Sequence, residues 1–316
     1  MIRRLAACLI SGSASLVAAE PFSLVFPVDC TLGETCHIQH YLDHDPGPGA
    51  RDYTCEGLSY DGHQGTDIAL PSIADMSAGV TVRAAAPGVV RGLRDGVADR
   101  LYDGQDLSGQ DCGNGIAITH AEGWETQYCH LRNGSVAVTP GQQVAAGTPL
   151  GEVGLSGRTQ FPHLHLTLRR DGEVIDPFAP EGAGTCDSAA TLWQDTPAYR
   201  PGGLLSVGFA QRVPSLAEIT EGSADDAPPR RDTALVGFGQ VFGARAGDSL
   251  RIVIEGPSGR VIGHDAPIDR PQAVLFRAAG RKAQPGGWPA GSYRLSVTLL
   301  RDGQSLETRS TALRLD

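Results

Sequence analysis

Short apolar runs of period two, cut by glycine and proline, organise most of this chain. Toward the C-terminus, "LLSVGFA", "DSLRIVIEGPSGRVIG", "QAVLFRAA" and "GSYRLSVTLLRDGQSLETRSTALRL" alternate apolar with polar positions, and Pro-Ser-Gly and Arg-Asp-Gly read as hairpin turns. Several such strands over 203–316 predict a β-sandwich of immunoglobulin-like type. The run "EGSADDAPPRRD" inside it predicts an exposed loop. His264, Trp193 and Trp288 stand singly, so packing or surface roles are expected of them and no chemistry is assigned to this half. Nearer the N-terminus, "GNGIAITHAEGWETQYCHL" predicts a hairpin: a strand through Ile116 and Ile118, a turn at Glu122-Gly123 and a return strand from Tyr128 to His130. With 41 glycines, 21 prolines and two methionines, the expected fold class is all-β.

The first residues break this pattern. "MIRRLAACLISGSASLVAAE" sets Arg3 and Arg4 before an apolar stretch and small residues before Glu20, which predicts a signal peptide over 1–19 with cleavage after Ala19. A lipoprotein reading of Leu5-Ala6-Ala7-Cys8 leaves almost no apolar region before the cysteine. Export implies a secreted protein, periplasmic or extracellular, with no membrane insertion after cleavage. The mature chain carries 24 basic and 36 acidic residues, a balance of −12 that argues against nucleic acid or anionic lipid as partner.

Six cysteines remain, Cys30, Cys36, Cys55, Cys112, Cys129 and Cys186, and an even number in an exported chain predicts three disulfides. All precede residue 187. This predicts a cystine-stapled domain over 20–186, a Pro/Gly-punctuated linker over 187–202 and a cysteine-free sandwich over 203–316. The length of 316 residues suits two domains.

The candidate chemistry lies in the first domain. In "HLHLTL", His163 and His165 alternate with Leu164, Leu166 and Leu168, so a strand sends both imidazoles to one face and the leucines to the other. In "HQGTDIAL", His63 and Asp67 are four apart, which on an extended strand is again one face, and Gly65 leaves the space between them open. Imidazole and carboxylate are both zinc ligands. His130 ends the return strand of the hairpin. Cys129 beside it is expected to point the other way, toward a disulfide for which Cys112 is the candidate partner.

In this order, with "FPV", "TVRAAAPGVV", "GNGIAITH", "VTPGQQVAAGTPLGEVGLSGRT" and the closing "DGEVIDP", these segments resemble the M23 family of zinc metallopeptidases, the lysostaphin-like or LytM-type peptidases, from about Phe26 to Pro180. The resemblance implies a compact antiparallel sheet with a metal-binding groove. It implies Zn2+ held by His63, Asp67 and His165, with His130 and His163 as catalytic residues beside the fourth position. The activity implied is hydrolysis, through a metal-activated water, of peptide bonds in peptidoglycan stem peptides or cross-bridges. Two alternatives are a non-catalytic wall-binding or hydrolase-regulating relative, and a peptidase of Gly-rich proteins. Non-catalytic relatives typically lose metal ligands, whereas this chain keeps all five site residues.

The chain departs from the family pattern at several points. Phe161 replaces a glycine near the groove, and Leu166 and Thr167 stand where phenylalanine and glutamate are usual. "RGLRDGVADRLYDGQDLSGQDC" lengthens one connection. "CTLGETCHIQHYLDHDPGPGARDYTCEG" adds a cystine-rich loop in which His37, His40 and His44 have spacings that suit a helix face and a second metal site. Pro46-Gly47-Pro48-Gly49 resists regular structure, so the loop is expected instead to form a disulfide-pinned lip over the groove.

Overall fold

The computed structural model describes residues 21–182, 186 and 189–316, so the expected leader lies outside the described residues. The strands of the first half are β1 (His37–His40), β2 (Thr66–Ala69), β3 (Thr81–Arg83), β4 (Gly88–Arg94), β5 (Asn114–Thr119), β6 (Trp124–Leu131), β7 (Gln143–Val144), β8 (Pro149–Glu152), β9 (His163–Arg170) and β10 (Glu173–Ile175), with helix α1 at Ile73–Ser77. The main sheet runs β1-β2-β9-β6-β5-β4-β7, with β10 returning on β9, and β3 pairs with β8 beside it. Every named strand pair is antiparallel. The expected hairpin is present as β5 and β6, and its turn uses left-handed backbone at Glu122 and Gly123.

β9 is flanked by β2 and β6, which fixes what its two faces do. Leu164, Leu166 and Leu168 are buried in one continuous core with Ile68, Ile116, Ile118 and Tyr128. The other face is left to His163 and His165.

The second half holds β11 (Gly203–Ala210), α2 (Leu216–Glu221), β12 (Leu235–Ala244), β13 (Ser249–Gly256), β14 (Gly259–Pro267), β15 (Gln272–Arg281), β16 (Gly291–Arg301) and β17 (Gln304–Leu315). They form two sheets, β11-β12-β15 and β14-β13-β16-β17, packed over a shared core. In the constant-type immunoglobulin order the fourth strand would join the first, second and fifth. Here it pairs with the third. α2 is closed by a Ser215–Glu218 capping box and a left-handed Gly222. Trp288 is buried in this core and Trp193 in the first one, while His264 lies exposed on β14.

The segment expected as a linker does not hang free. Leu24 N–H donates to Leu192 O and Gln194 N–H to Leu24 O, Trp193 is buried, and the Tyr199 hydroxyl donates to Asp52 Oδ2. Arg200 pairs with Glu307 at 2.6 Å, and the Arg301 guanidinium donates to Pro201 O, to Gly243 O and to the buried Asp248 carboxylate. The sandwich thus sits on the free edge of the first sheet: the His37 ring packs on Phe242 at 4.6 Å and Gln39 donates to Ala273 O. A cleft of about 440 Å³ remains between the two halves, lined in part by His40, Ser59, Arg245 and Gln272. No helix among the described residues is long and apolar enough to cross a membrane.

Candidate metal centre

The five sequence-predicted site residues come together on the open face of the main sheet. Register explains most of this. Asp67 on β2 lies opposite His165 on β9, and Ala69 lies opposite His163. His63 departs from expectation, because β2 begins at Thr66 and His63 sits in the turn before it. It still reaches the cluster, its Nε2 lying 3.1 Å from Asp67 Oδ1 and 3.2 Å from His165 Nδ1. Gly65 makes this possible: a Cβ there would stand 2.7 Å from His165 Nε2 and 2.6 Å from Leu166 O.

His130 also needs more than strand alternation. Tyr128 pairs with Leu166 and Cys129 with His165, so strict alternation would put His130 on the core side with Tyr128. A bulge in the β5–β6 pairing and a left-handed φ of 63° at His130 turn it back, and its ring lies 4.6 Å from that of His163. Cys129 is not a ligand candidate, since it is bonded to Cys112 as expected. Cys30–Cys36 and Cys55–Cys186 complete three disulfides.

The outer hydrogen bond of His63 sets its tautomer. His63 Nδ1–H donates to Tyr41 O at 2.7 Å, and His165 Nε2 lies 3.0 Å from the Thr167 hydroxyl, which can accept from it or donate to it. The inner nitrogen of His63, Nε2, therefore presents a lone pair toward Asp67 Oδ1, which lies 2.8 Å from His165 Nδ1. With the hydrogen of His165 on Nε2 toward Thr167, the three atoms are lone-pair donors within 2.8–3.2 Å of one another, an arrangement that a cation among them relieves. These separations approach the edge of about 3.3 Å of a tetrahedron with zinc bonds of about 2.0 Å. The donor set therefore fits Zn2+ with one position left open.

His130 Nδ1–H donates to Ser156 O and His163 Nδ1–H to Phe161 O, each leaving its Nε2 unprotonated. Burial lowers the His163 pKa to about 4; burial and then the charges of His163 and His165 hold His130 well below its ordinary value. Both are neutral at neutral pH. Burial pushes Asp67 toward protonation, but the surrounding histidines, His163 and His63 first, hold its carboxyl well below the usual range. For His63, burial opposes the charged form, but the Asp67 charge, with the hydrogen bond that a protonated ring would give it, outweighs burial and raises the pKa.

As expected of the N-terminal loop, its three histidines form no second metal site among the described residues. His37–His40 is a strand, not a helix face, and the three histidines diverge: His37 meets Phe242 and Gln39, His40 meets Asp67, and His44 Nε2 lies 2.6 Å from the buried Asp176 Oδ2. The loop is pinned through Cys55–Cys186 and brings Tyr60 and His40 to the rim of the centre, where Phe161 stacks on His163 at 4.4 Å. The supports that sequence reasoning missed are His40 on Asp67, Thr167 on His165 and Thr159, whose hydroxyl lies 3.0 Å from His163 Nδ1. Thr167 had a signal as a departure from the usual glutamate, and His40 only as one of the loop's three histidines, with nothing to tie it to Asp67.

The sequence model of the family described as "Peptidase family M23" matches residues 61–177. The DD-carboxypeptidase/endopeptidase Mpg of Neisseria meningitidis serogroup B is 35% identical over 119 residues, covering 37% of this chain and 22% of that protein. The cell division protein DipM of Caulobacter vibrioides is 40% identical over 68 residues, covering 22% of this chain and 11% of that protein. The chain thus spans 22% or less of the length of these curated relatives. Among solved structures, the catalytic domain of the prophage-encoded M23 protein EnpA from Enterococcus faecalis is 24% identical, covers 46% of this chain and 92% of that one, and superposes with a TM-score of 0.30. Over residues 61–177, the stretch that supplies all five site residues, this chain carries a peptidase domain of family M23.

Proposed function

We propose that this protein is a secreted, zinc-dependent endopeptidase that hydrolyses peptide bonds in peptidoglycan stem peptides or cross-bridges. The observation that carries this reading is the convergence of His63 Nε2, Asp67 Oδ1 and His165 Nδ1, with the neutral imidazoles of His130 and His163 beside them. Zinc held by the three donors would supply Lewis acidity, lowering the pKa of a water and polarising the scissile carbonyl. The unprotonated Nε2 of His163 or His130 would take the proton of the attacking water, and the same imidazoles, once protonated, would stabilise negative charge on the carbonyl oxygen. Phe161 and Tyr60 narrow the approach to an extended peptide. The retention of all five site residues speaks against the non-catalytic alternative. The naming of Mpg as a DD-carboxypeptidase/endopeptidase agrees with a wall-peptide substrate. In this reading residues 20–186 are the peptidase and 203–316 a module that holds its N-terminal loop in place.

The test is mass analysis of purified peptidoglycan digested with residues 20–316, beside a His163→Ala protein and a chelator-treated sample. New amine ends are expected only with the intact enzyme, and His163→Ala should lose turnover by about 10²-fold or more while keeping its zinc. Uncut peptides from a folded, zinc-loaded protein would overturn the peptidoglycan assignment.

A further inference from the structure

His40 stands outside the five residues, yet it touches the centre. β1 and β2 pair Ile38 with Ile68, and the next partners are His40 and Asp67, so Gln39 is skipped in a bulge. Without that bulge Gln39 would lie opposite Asp67. Bulges re-aim side chains, and here Gln39 is diverted to Ala273 O of the sandwich while His40 takes the place opposite Asp67. Three neighbouring strands therefore carry His40, Asp67 and His165 in one row.

The contact divides the Asp67 carboxylate. His40 Nδ1 lies 3.1 Å from Oδ2, while Oδ1 faces His63 Nε2 and His165 Nδ1. An ionised carboxylate only accepts, so Nδ1 carries the hydrogen. The ring is fixed by its neighbours, standing edge-on to Tyr60 at 5.2 Å, to His63 at 5.9 Å and to Phe161 at 6.1 Å.

We propose that His40 is a positioning residue of the metal centre, whose Nδ1–H ties off Asp67 Oδ2 so that the carboxylate offers one oxygen to the ion. The proposal rests on the zinc reading above. A carboxylate free to turn about its Cβ–Cγ bond can present both oxygens to a cation, and the second would occupy space that an open fourth position needs. Outer partners of this kind set both ligand orientation and affinity. The disulfide-bearing N-terminal segment then completes the centre and does more than cover it.

The test uses residues 20–316 as wild type and as His40→Ala, His40→Phe and His40→Asn, each checked for native near-UV circular dichroism. Zinc affinity is measured by competition with a chromophoric chelator, and the d–d absorption spectrum is recorded after Co2+ loading. His40→Ala and His40→Phe are expected to bind zinc about 10–100-fold more weakly with an altered Co2+ spectrum. His40→Asn, whose amide N–H can reach the same oxygen, should recover most of the affinity. Unchanged affinity and spectrum in folded His40→Ala would overturn the proposal, as would recovery by Phe equal to that by Asn, which marks a packing role. A wild type that binds no zinc would overturn the zinc reading itself.

Discussion

Gly65 is the residue on which the ligand cluster is most tightly built. A methyl group there would meet Leu166 O at 2.6 Å and two atoms of the His165 ring at 2.7–2.8 Å, closer than real Cβ contacts. β9 lies between β2 and β6 and cannot retreat, so the ring must move instead. Gly65→Ala is therefore expected to weaken zinc binding at least tenfold and to cost about 1–3 kcal/mol of stability; chelator competition and denaturant unfolding measure the two. Unchanged metal affinity would show that His165 has freedom these contacts deny it. At this scale the ligands were legible because His63–Asp67 and His163–His165 are local spacings. His40 was not, because its bond to Asp67 depends on a strand register 27 residues apart and on a bulge. The orientation of His130 depends on one left-handed residue, which alternation cannot express.

Among the elements, the hairpin of β5 and β6 and the turns of the sandwich follow from the apolar pattern and its Gly-containing tetrapeptides. β12 was hidden, although all ten of its residues are buried. Its "LVGFGQVFGA" breaks the alternation with glycines, and those glycines have a packing reason. A Cβ at Gly237 would lie 2.6 Å from Leu295 Cδ1, and one at Gly239 2.7 Å from Val297 Cγ1, so the absence of side chains lets the two sheets close. The N-terminal loop is the opposite case: it has few elements and relies on covalent ties. Cys55–Cys186 closes a span of 131 residues, and chain-entropy arguments assign such a cross-link about 3–5 kcal/mol. Paired Cys55→Ser and Cys186→Ser substitutions are expected to lower Tm by several degrees. Proteolysis should then cut first within residues 46–50, where Pro46-Gly47-Pro48-Gly49 is exposed and two prolines have no N–H to give, whereas the backbone from Arg51 to Gly62 is held by the Asp43 and Asp52 carboxylates. An unchanged digestion pattern would show that His44–Asp176 and Tyr199–Asp52 hold the loop alone.

For the whole molecule, the interface between the two halves makes stability depend on pH. Sequence composition predicted a linker between them, because the burial of Trp193 and the bonds of Tyr199 and Arg301 are made to distant residues that no local pattern reveals. At the centre of that interface His37 is enclosed; its Nε2–H donates to Gln39 Oε1, and Gln39 donates on to Ala273 O of the sandwich. Burial lowers its pKa from 6.5 to about 4; the Gln39 contact opposes this, and the nearby charges of His40, Arg200 and Arg309 reinforce it. Between these values the unfolded chain binds more protons than the folded one. The contribution is therefore complete above about pH 6.5 and is lost as pH falls toward 4, by up to about 3 kcal/mol. His130 and His163 act with the same sign in metal-free protein, so the variant must separate them. His37→Leu keeps a buried apolar contact with Phe242 and removes the titration. Its Tm should fall less than that of the wild type between pH 7 and pH 4.5, with both proteins zinc-free. Equal falls would place the acid sensitivity in the metal centre and leave the docking of the sandwich independent of pH.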